Sequence, residues 1–252
     1  MKLLFLGTGT SQGVPVIACH CPVCESSDSR DSRLRTSALL SVESTNILFD
    51  IGPDFRQQML SHHVDRLDAI LITHAHRDHV AGLDDIRAFN YVQHSNMEVY
   101  LNDMACQALM RDYHYVFEPH QYPGLPEATL HIVDGPFRTA GLDIMPIHAM
   151  HKDLPVLGYR IGPLAYITDA NYIAPKELDK LTGLKVLVIN ALRKEKHFSH
   201  YCLSEALEVI SRVAPERAYI THVSHDMGLH AEVQTELPPT VWLAHDNLEI
   251  TI

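Results

Sequence analysis

The stretch THAHRDH, residues 73–79, is dense in side chains that bind metal ions. It directly follows the apolar, strand-like segment LDAILI. Four of its residues are imidazoles or acids, namely His74, His76, Asp78 and His79. Imidazole and carboxylate together suit zinc, manganese or iron, and four such groups exceed what one ion usually takes from one segment. The stretch therefore predicts two neighbouring divalent ions at the end of a strand.

The composition is that of an ordinary globular protein with one unusual feature. Of the 252 residues, 46% are apolar and 20% are charged, which is typical of a folded chain with a substantial core. Histidine occurs 18 times, often in short clusters. Strand-like and helical segments recur in both halves with no linker rich in Gly, Ser or charge between them. We expect a single α/β metallo-hydrolase domain over residues 1–252, with sheets inside and helices outside.

The charge and the first residues restrict the partners. The formal net charge of -11 disfavours nucleic acid, whose binding draws on clustered Lys and Arg, so a small substrate is expected. The opening MKLLFLGTGT has only four apolar residues before a glycine turn, too few for a signal-peptide core or a membrane span. These features predict a cytoplasmic protein without a membrane partner.

The chain also contains local signals for single elements. Ser204 precedes the amphipathic run EALEVISRV and is predicted as the N-cap of a helix. The stretch from Tyr113 to Pro136 carries several prolines and little periodicity, so we predict irregular structure there. The loop GTGTSQG has the spacing GxGxxxG and no helix after it, which disfavours nucleotide binding and favours a turn that lines the site.

The run CHCPVC, residues 19–24, predicts a second kind of metal site. Cys19, Cys21 and Cys24 are too close together to form a set of structural disulfides. Three thiolates in this spacing suit a closed tetrahedral zinc site that needs one more ligand. A redox pair at Cys21 and Cys24 is the alternative interpretation. Cys106 and Cys202 are predicted to be packing residues.

These motifs, in this order, resemble those of the metallo-β-lactamase superfamily. The stretch 73–79 reproduces its H-x-H-x-D-H signature, and GTGTSQG, ILFDIG, a His ahead of LGYRIG, YITDA and THVSH occur in the expected succession. The resemblance covers nearly the whole chain. It implies a four-layer αββα sandwich with a two-metal site on loops at one edge of the inner sheets.

The resemblance also implies the individual ligands. The first ion would be held by His74, His76 and a third His, the second by Asp78, His79 and His222, with Asp169 bridging the two. The third His is either His148 or His151. His151 is preferred because it directly precedes the segment DLPVLGYRI, as in related sequences.

The segment KEKHFSHYCLSEALEVI resembles the second half of the phosphodiesterase branch of this superfamily. In that branch a His between a strand and a helix faces the leaving group. His200 is therefore the candidate general acid, with His197 as the alternate, because imidazole titrates near neutral pH. Asp78 is the second residue assigned a catalytic role. The other possibility is that either His caps a turn or faces solvent.

Within that branch, CHCPVC, LPVLGYRIG, YITDANY and HFSHYCLSEAL resemble the phosphodiesterase family of the carbon-phosphorus lyase pathway, the PhnP family. The resemblance implies hydrolysis of 5-phospho-α-D-ribosyl 1,2-cyclic phosphate to ribose 1,5-bisphosphate in phosphonate catabolism. It further implies two catalytic divalent ions (manganese, with zinc, nickel or iron as alternatives), a structural zinc and a homodimer. His225 would complete the zinc site, with His20 and His230 as competitors.

Three other functions compete with this one. A tRNA 3′-processing endonuclease shares the metal signature but carries a basic arm, whereas residues 113–140 hold few Lys or Arg. A protein of quinone-cofactor biosynthesis also has a cysteine-bound zinc near its N-terminus. The third is a non-catalytic metal-binding interaction protein, which the complete set of ligands disfavours.

Overall fold

The structure, a computed structural model, describes residues 1–118 and 124–252 and contains two β-sheets. The first sheet comprises β1 (Lys2–Gly7), β2 (Ser37–Val42), β3 (Thr45–Phe49), β4 (Ala69–Leu71), β5 (Met97–Leu101), β6 (Ala128–Ile132) and β15 (Glu249–Thr251). Its strand order is β15-β1-β2-β3-β4-β5-β6. From β3 to β6 the neighbouring strands are parallel.

The second sheet is formed by the second half of the chain. It comprises β7 (Phe137–Thr139), β8 (Leu142–His151), β9 (Leu154–Ile161), β10 (Leu164–Ile167), β11 (Tyr172–Ile173), β12 (Val186–Asn190), β13 (Arg217–Thr221) and β14 (Val241–Leu243). The order is β11-β8-β9-β10-β12-β13-β14, and β7 also pairs with β8. From β10 to β14 the neighbouring strands are parallel.

The helices lie outside the two sheets. Against the first sheet lie α1 (Phe55–Ser61), α2 (Arg77–Val80), α3 (Arg87–Gln93), α4 (Asp103–Asp112) and α5 (His114–Phe117). The second sheet carries α6 (Pro175–Leu178), α7 (Leu203–Val213) and α8 (His230–Glu236). None of the described helices combines the length and the apolar composition needed to span a bilayer.

Alternation along the buried strands produces the four layers. In β12, Val186 and Val188 belong to the core between the sheets, whereas Leu187 and Ile189 belong to the core beneath the helices. This is the period of two that a strand buried on both faces requires. The predicted α/β class and αββα sandwich are confirmed.

The strand directions bring distant residues to one edge. Because the carboxyl ends of parallel strands lie at the same edge of a sheet, the residues after β10 and β13 become neighbours. The two sheets are joined close to the end of β4, where Tyr159 Oη donates to the Ile72 carbonyl at 2.6 Å. The Leu157 amide donates to the Thr73 carbonyl at 2.9 Å. The loops after β4, β10 and β13 therefore open onto one common site.

Two local predictions were wrong. The helix after residue 202 begins at Leu203, and Cys202 rather than Ser204 is its N-cap. The Glu205 carboxylate accepts the Cys202 amide at 3.0 Å, which satisfies a free donor of the first turn. The stretch from Tyr113 to Pro136 contains α5 and the strand β6 instead of only irregular structure, and residues 119–123 of it lie outside the described residues.

Candidate active site

The signature stretch contributes residues to both groups of a cluster of imidazoles and carboxylates. Its first two histidines lie in the loop that leaves β4, and Asp78 and His79 lie in the short helix α2. His74 and His79 are buried, while His76 is exposed. The turn from strand to helix thus directs the four side chains toward one region.

The first group of ligand atoms consists of His74, His76 and His151. Their ligand atoms all lie within 4.8 Å of one another, and His74 Nε2 is 2.9 Å from His76 Nδ1. His148 is exposed on β8 and is not part of the group; its backbone amide donates to Glu177 Oε2 at 2.9 Å. The structure therefore brings His151, and not His148, together with the first two histidines of the signature stretch.

The second group consists of Asp78, His79 and His222. Asp78 Oδ2 lies 3.2 Å from His79 Nε2 and 3.5 Å from His222 Nε2. Asp169 stands against both histidines, with Oδ2 3.0 Å from His79 Nε2 and Oδ1 3.0 Å from His222 Nε2. It also groups with His74 of the first set. Asp169 is thus placed between the two groups, where a bridging ligand would stand.

The residues of this cluster fit divalent cations. Within the described part of the chain, the Nε2 atoms of His79 and His222 are buried, and the nearby carboxylate oxygens are not aligned to form hydrogen bonds with them. Leaving such atoms unpaired is costly, so their convergence indicates that another group satisfies them. Histidine nitrogens and carboxylate oxygens in this mixture are ligands for zinc, manganese and iron.

The electrostatics point the same way. Burial lowers the pKa of His74 well below its usual value, which keeps that ring neutral and able to coordinate. Burial alone would raise the pKa of Asp169, but His222 and His79 beside it hold it well below its usual range. Burial likewise opposes the charged form of His79, yet Asp169 and Asp78 raise its pKa well above the usual value. The surroundings of His79 therefore favour positive charge, which a bound cation supplies.

A set of groups that the sequence analysis did not identify orients the ligands. The buried Asp50 carboxylate accepts a hydrogen bond from His79 Nδ1 at 2.7 Å. It also accepts hydrogen bonds from the Thr73 amide at 2.7 Å and the Thr73 hydroxyl at 2.9 Å. The Ser199 carbonyl accepts His151 Nδ1 at 2.7 Å. Each contact fixes a tautomer that turns Nε2 toward the cluster. For Asp50 the available signal is its place at the end of β3, in the motif ILFDIG.

Two ligands that follow parallel strands have a strained backbone conformation. Asp169 and His222 both have a φ of 57°, the left-handed region that side chains with a Cβ seldom adopt. Such a conformation costs on the order of 1–3 kcal/mol and persists only where neighbouring contacts hold it. Asn190 provides such contacts next to Asp169. Its Oδ1 accepts a hydrogen bond from the Ala170 amide at 2.8 Å, and its Nδ2 donates one to the Ala170 carbonyl at 2.9 Å.

His200 lies at the cluster itself. Its Nε2 is 2.8 Å from Asp169 Oδ1, and its Nδ1 is 3.2 Å from His197 Nδ1. Burial lowers the pKa of His200, while the hydrogen bond to Asp169 opposes that shift. Of the two predicted candidates for general acid, His200 contacts the ligands directly, whereas the side-chain contacts of His197 are to its neighbours Phe198, Ser199 and His200.

The cysteine cluster is complete in a separate place. His225 Nδ1 lies 3.2, 3.5 and 3.4 Å from the Sγ atoms of Cys19, Cys21 and Cys24. The Cys24 amide, 3.4 Å from Cys21 Sγ, lowers the pKa of Cys21 to about 6, which favours its thiolate. Three sulfurs and one imidazole nitrogen fit a closed tetrahedral zinc site.

The competing fourth ligands lie elsewhere. His20 is exposed and its Nδ1 pairs with Glu25 at 2.9 Å. His230 is buried, with its Nδ1 3.2 Å from Arg33 Nη2. Cys106 and Cys202 are buried away from the cluster.

Main-chain pairing joins the cysteine cluster to the His and Asp cluster. Val223, between His222 and His225, accepts the Thr10 amide at 3.1 Å and donates to the Thr8 carbonyl at 2.9 Å. The Gly-rich loop that leads to the cysteines is therefore anchored on the segment that carries one ligand of each cluster. A closed zinc site here would brace the N-terminal loop beside the His and Asp cluster.

Comparison with known proteins identifies the family. A family model described as a beta-lactamase superfamily domain matches residues 45–223, more than half of the chain. The chain belongs to this superfamily, as the signature stretch predicted.

Three individual proteins similar to this chain give more detail than the family model. A crystal structure of a new diphosphatase from the PhnP family superposes with a TM-score of 0.93 at 34% identity, covering 99% of this chain and 96% of that one. The Zn(2+)-bound PqqB from Methylobacterium extorquens gives a TM-score of 0.77 at 19% identity over 100% of both chains, a likeness of fold alone. An octanoyltransferase from Porphyromonas gingivalis is 41% identical over the whole chain, which spans 52% of that protein. The likeness to the diphosphatase supports a hydrolase.

Proposed function

Starting from this superfamily membership, we propose that the protein is a metal-dependent phosphodiesterase that hydrolyses a small cyclic phosphodiester. The proposed substrate is 5-phospho-α-D-ribosyl 1,2-cyclic phosphate, converted to ribose 1,5-bisphosphate in phosphonate catabolism. The observation that carries the proposal is the position of His200, a proton donor held 2.8 Å from Asp169 at the edge of the His and Asp cluster. The 34% identity to a PhnP-family diphosphatase over nearly the whole chain supports the same class of reaction.

The ligands divide between two cations. One would be held by His74, His76 and His151, the other by Asp78, His79 and His222, with Asp169 between them. When bound, such a pair stabilises the charge on the phosphoryl oxygens and lowers the pKa of the attacking water. Manganese is the proposed catalytic metal, with zinc, nickel or iron as alternatives, and zinc is proposed for the cysteine cluster.

The side chains of the protein perform the remaining steps. Water adds across one P–O bond, so that a hydroxyl joins phosphorus and a proton must reach the departing sugar oxygen. His200 is placed to donate that proton, and Asp169 orients its ring. Asp50 and the Ser199 carbonyl hold His79 and His151 in the tautomers that face the site. This arrangement suits an ester of an alkyl alcohol such as a sugar, because its alkoxide leaving group needs protonation.

The setting of the reaction is proposed as well. We propose that the chain acts as a single metallo-hydrolase domain, as a homodimer in the cytoplasm, on a small phosphorylated sugar without nucleic-acid or membrane partners. The acidic sequence, with its net charge of -11, supports a small substrate over a polynucleotide.

A second candidate function is hydrolysis or transfer of an octanoyl group. The 41% identity to an octanoyltransferase favours it, although the chain spans only about half of that protein. A cavity of about 310 Å³ beside His74 and His76 has the apolar side chains Met104, Leu154 and Pro155 in its lining. Such a cavity suits a short acyl chain.

One panel of substrates separates these possibilities. With manganese present, we expect hydrolysis of cyclic ribose phosphates and bis(p-nitrophenyl) phosphate to exceed that of p-nitrophenyl phosphate, a β-lactam, a tRNA precursor and an octanoyl thioester. A preference for the thioester would establish the second candidate instead. Full activity in metal-free protein would overturn the proposal.

A further inference from the structure

Two side chains at the rim of the His and Asp cluster have no role in the steps described above. Phe198 is 70% exposed although it lies between His197 and the buried Ser199. The Lys152 ammonium lies 5.6 Å from the centroid of the Phe198 ring, and Lys152 directly follows His151. An aromatic ring and a cation thus lie together, and they belong to the two segments that carry His151 and His200.

The Asn171 side chain is hydrogen-bonded to the backbone of both Lys152 and Phe198. Asn171 Oδ1 accepts the Lys152 amide at 2.8 Å, and Asn171 Nδ2 donates to the Phe198 carbonyl at 3.3 Å. A neighbouring contact, His151 Nδ1 to the Ser199 carbonyl at 2.7 Å, joins the same two segments. The backbone segments that carry the pair are therefore fixed next to each other by three hydrogen bonds, which lowers the cost of bringing the two side chains to one ligand.

An exposed apolar ring on its own requires no explanation, but this one has polar surroundings that suit a particular ligand. Its ring centroid lies 4.5 Å from that of His197 and 5.6 Å from the Lys152 ammonium, yet 70% of the residue stays exposed to solvent. Aromatic faces bind other rings by stacking, and an ammonium binds phosphate as a point charge. Lys152 is 59% exposed and its nearest acid, Asp153, is 3.8 Å away and almost fully exposed.

We propose that Phe198 and Lys152 form a subsite for the leaving group of the phosphodiester. The group it accepts has a ring and a second phosphate, as a phosphorylated sugar or a nucleotide has. The ring packs on Phe198 and the second phosphate pairs with Lys152, which aligns the departing oxygen with His200. This inference rests on the proposed phosphodiesterase function, and it names the recognition element of the same site.

The test compares substrate pairs that differ only in the distal phosphate. The probes are ribose 1,2-cyclic phosphate with and without a 5-phosphate, and adenosine 2′,3′-cyclic phosphate with and without a 5′-phosphate. Lys152→Met should lower the ratio of kcat/KM for the phosphorylated over the plain member about five-fold, the upper range for a half-exposed ion pair. The sugar pair and the nucleotide pair show which source of ring the site prefers.

The ring is tested by matched variants. Phe198→Leu should raise KM about ten-fold with a smaller change in kcat, whereas Phe198→Tyr keeps the face and should restore KM. Controls are Lys185→Met and Tyr91→Ala, an exposed cation and an exposed aromatic ring outside the site. Calorimetric binding of ribose 5-phosphate should weaken in Lys152→Met and stay unchanged in Lys185→Met.

The outcomes distinguish the two proposals. Wild-type protein that hydrolyses no phosphodiester would overturn the proposed function and, with it, the leaving-group role. Wild-type protein that hydrolyses diesters, with ratios and KM unaltered in Lys152→Met and Phe198→Leu, would overturn this inference alone. Loss of activity in Phe198→Leu that Phe198→Tyr fails to restore would also contradict it.

Discussion

The two clusters of this protein are assembled in different ways. Three of the four cysteine-cluster groups lie within six residues of sequence, and only His225 comes from elsewhere. The His and Asp cluster collects its groups from the ends of β4, β8, β10 and β13 in both sheets and from α2. The first takes three of its four groups from one loop, whereas the second forms only when segments from both sheets meet.

Burial also separates the clusters. The cysteine cluster is partly exposed at every member, while His74, His79, Asp169 and His222 are buried. A buried, oriented site suits chemistry, and a closed site near the surface suits bracing of a loop. The comparison predicts that changes in the His and Asp cluster abolish activity, whereas changes in the cysteine cluster mainly affect stability.

The largest effect is expected for Asp169→Asn. This substitution removes the charge between the two groups and the partner of His200, which are worth several kcal/mol in the transition state. Phosphodiesterase kcat should fall by at least about 10⁴-fold. Asp153→Asn, an exposed acid two residues after His151, is the control. Comparable kinetics for Asp169→Asn and wild type would contradict the placement of Asp169.

His200→Ala comes next. Without a proton donor, substrates with alkoxide leaving groups should lose about 10²- to 10³-fold in kcat, and p-nitrophenyl esters much less. The metal content should stay unchanged. His197→Ala serves as the comparison and should cost less for both kinds of substrate, because its ring contacts His200 rather than Asp169. Equal losses across all leaving groups would remove the general-acid role of His200.

The cysteine cluster should give a smaller effect on activity. Cys24→Ser should lose the bound zinc and lower the melting temperature, while kcat falls only about 10-fold because the N-terminal loop loosens. Cys106→Ala changes a buried cysteine outside the cluster and should retain zinc. A zinc content unaffected by Cys24→Ser would show that the thiolates hold no ion.

The smallest effect concerns pH and leaves the chemistry untouched. Burial and the neighbouring Arg33 lower the pKa of His230 to about 4. This folded-state pKa lies below the unfolded value, so below pH 6.5 protons bind the unfolded chain more readily than the folded one. The free energy of unfolding is therefore at its full value above pH 6.5 and decreases as the pH falls toward 4. At about 1.4 kcal/mol per pKa unit, the loss reaches about 3 kcal/mol.

A matched pair of variants isolates that contribution. Urea unfolding of wild type and His230→Gln between pH 4 and 7 should show a steeper loss for the wild type. His114→Gln, at an exposed position, should follow the wild type. Identical pH profiles for wild type and His230→Gln would refute the assignment.

The sequence predicted those parts of the site that depend on local spacing. The stretch 73–79 and the cysteine run indicate metal binding from a few closely spaced residues. Both contribute to clusters of possible metal ligands in the structure. The choice between His148 and His151 is harder, because both belong to β8 and lie three apart. Strand alternation puts them on opposite faces, but the sequence does not reveal which face turns toward the site.

The supporting groups were harder to predict. The Ser199 carbonyl that orients His151 is a backbone atom, and no side-chain pattern marks it. The sequence predicts Ser204 as the cap of α7 because serine is a common N-cap, yet Cys202 is the cap and its amide donates to Glu205. Tertiary context decided these positions, as it did for the strand β6 within the proline-rich stretch.

We propose that the His and Asp cluster holds two cations and the cysteine cluster a third. The most direct measurement is the metal content of protein loaded with manganese and zinc and then desalted, by inductively coupled plasma mass spectrometry. We predict three ions per chain for the wild type and two for Cys24→Ser. In Asp169→Asn the zinc of the cysteine cluster should remain in full, whereas the ions of the His and Asp cluster should be lost. A wild-type chain that never holds more than one ion would contradict the account.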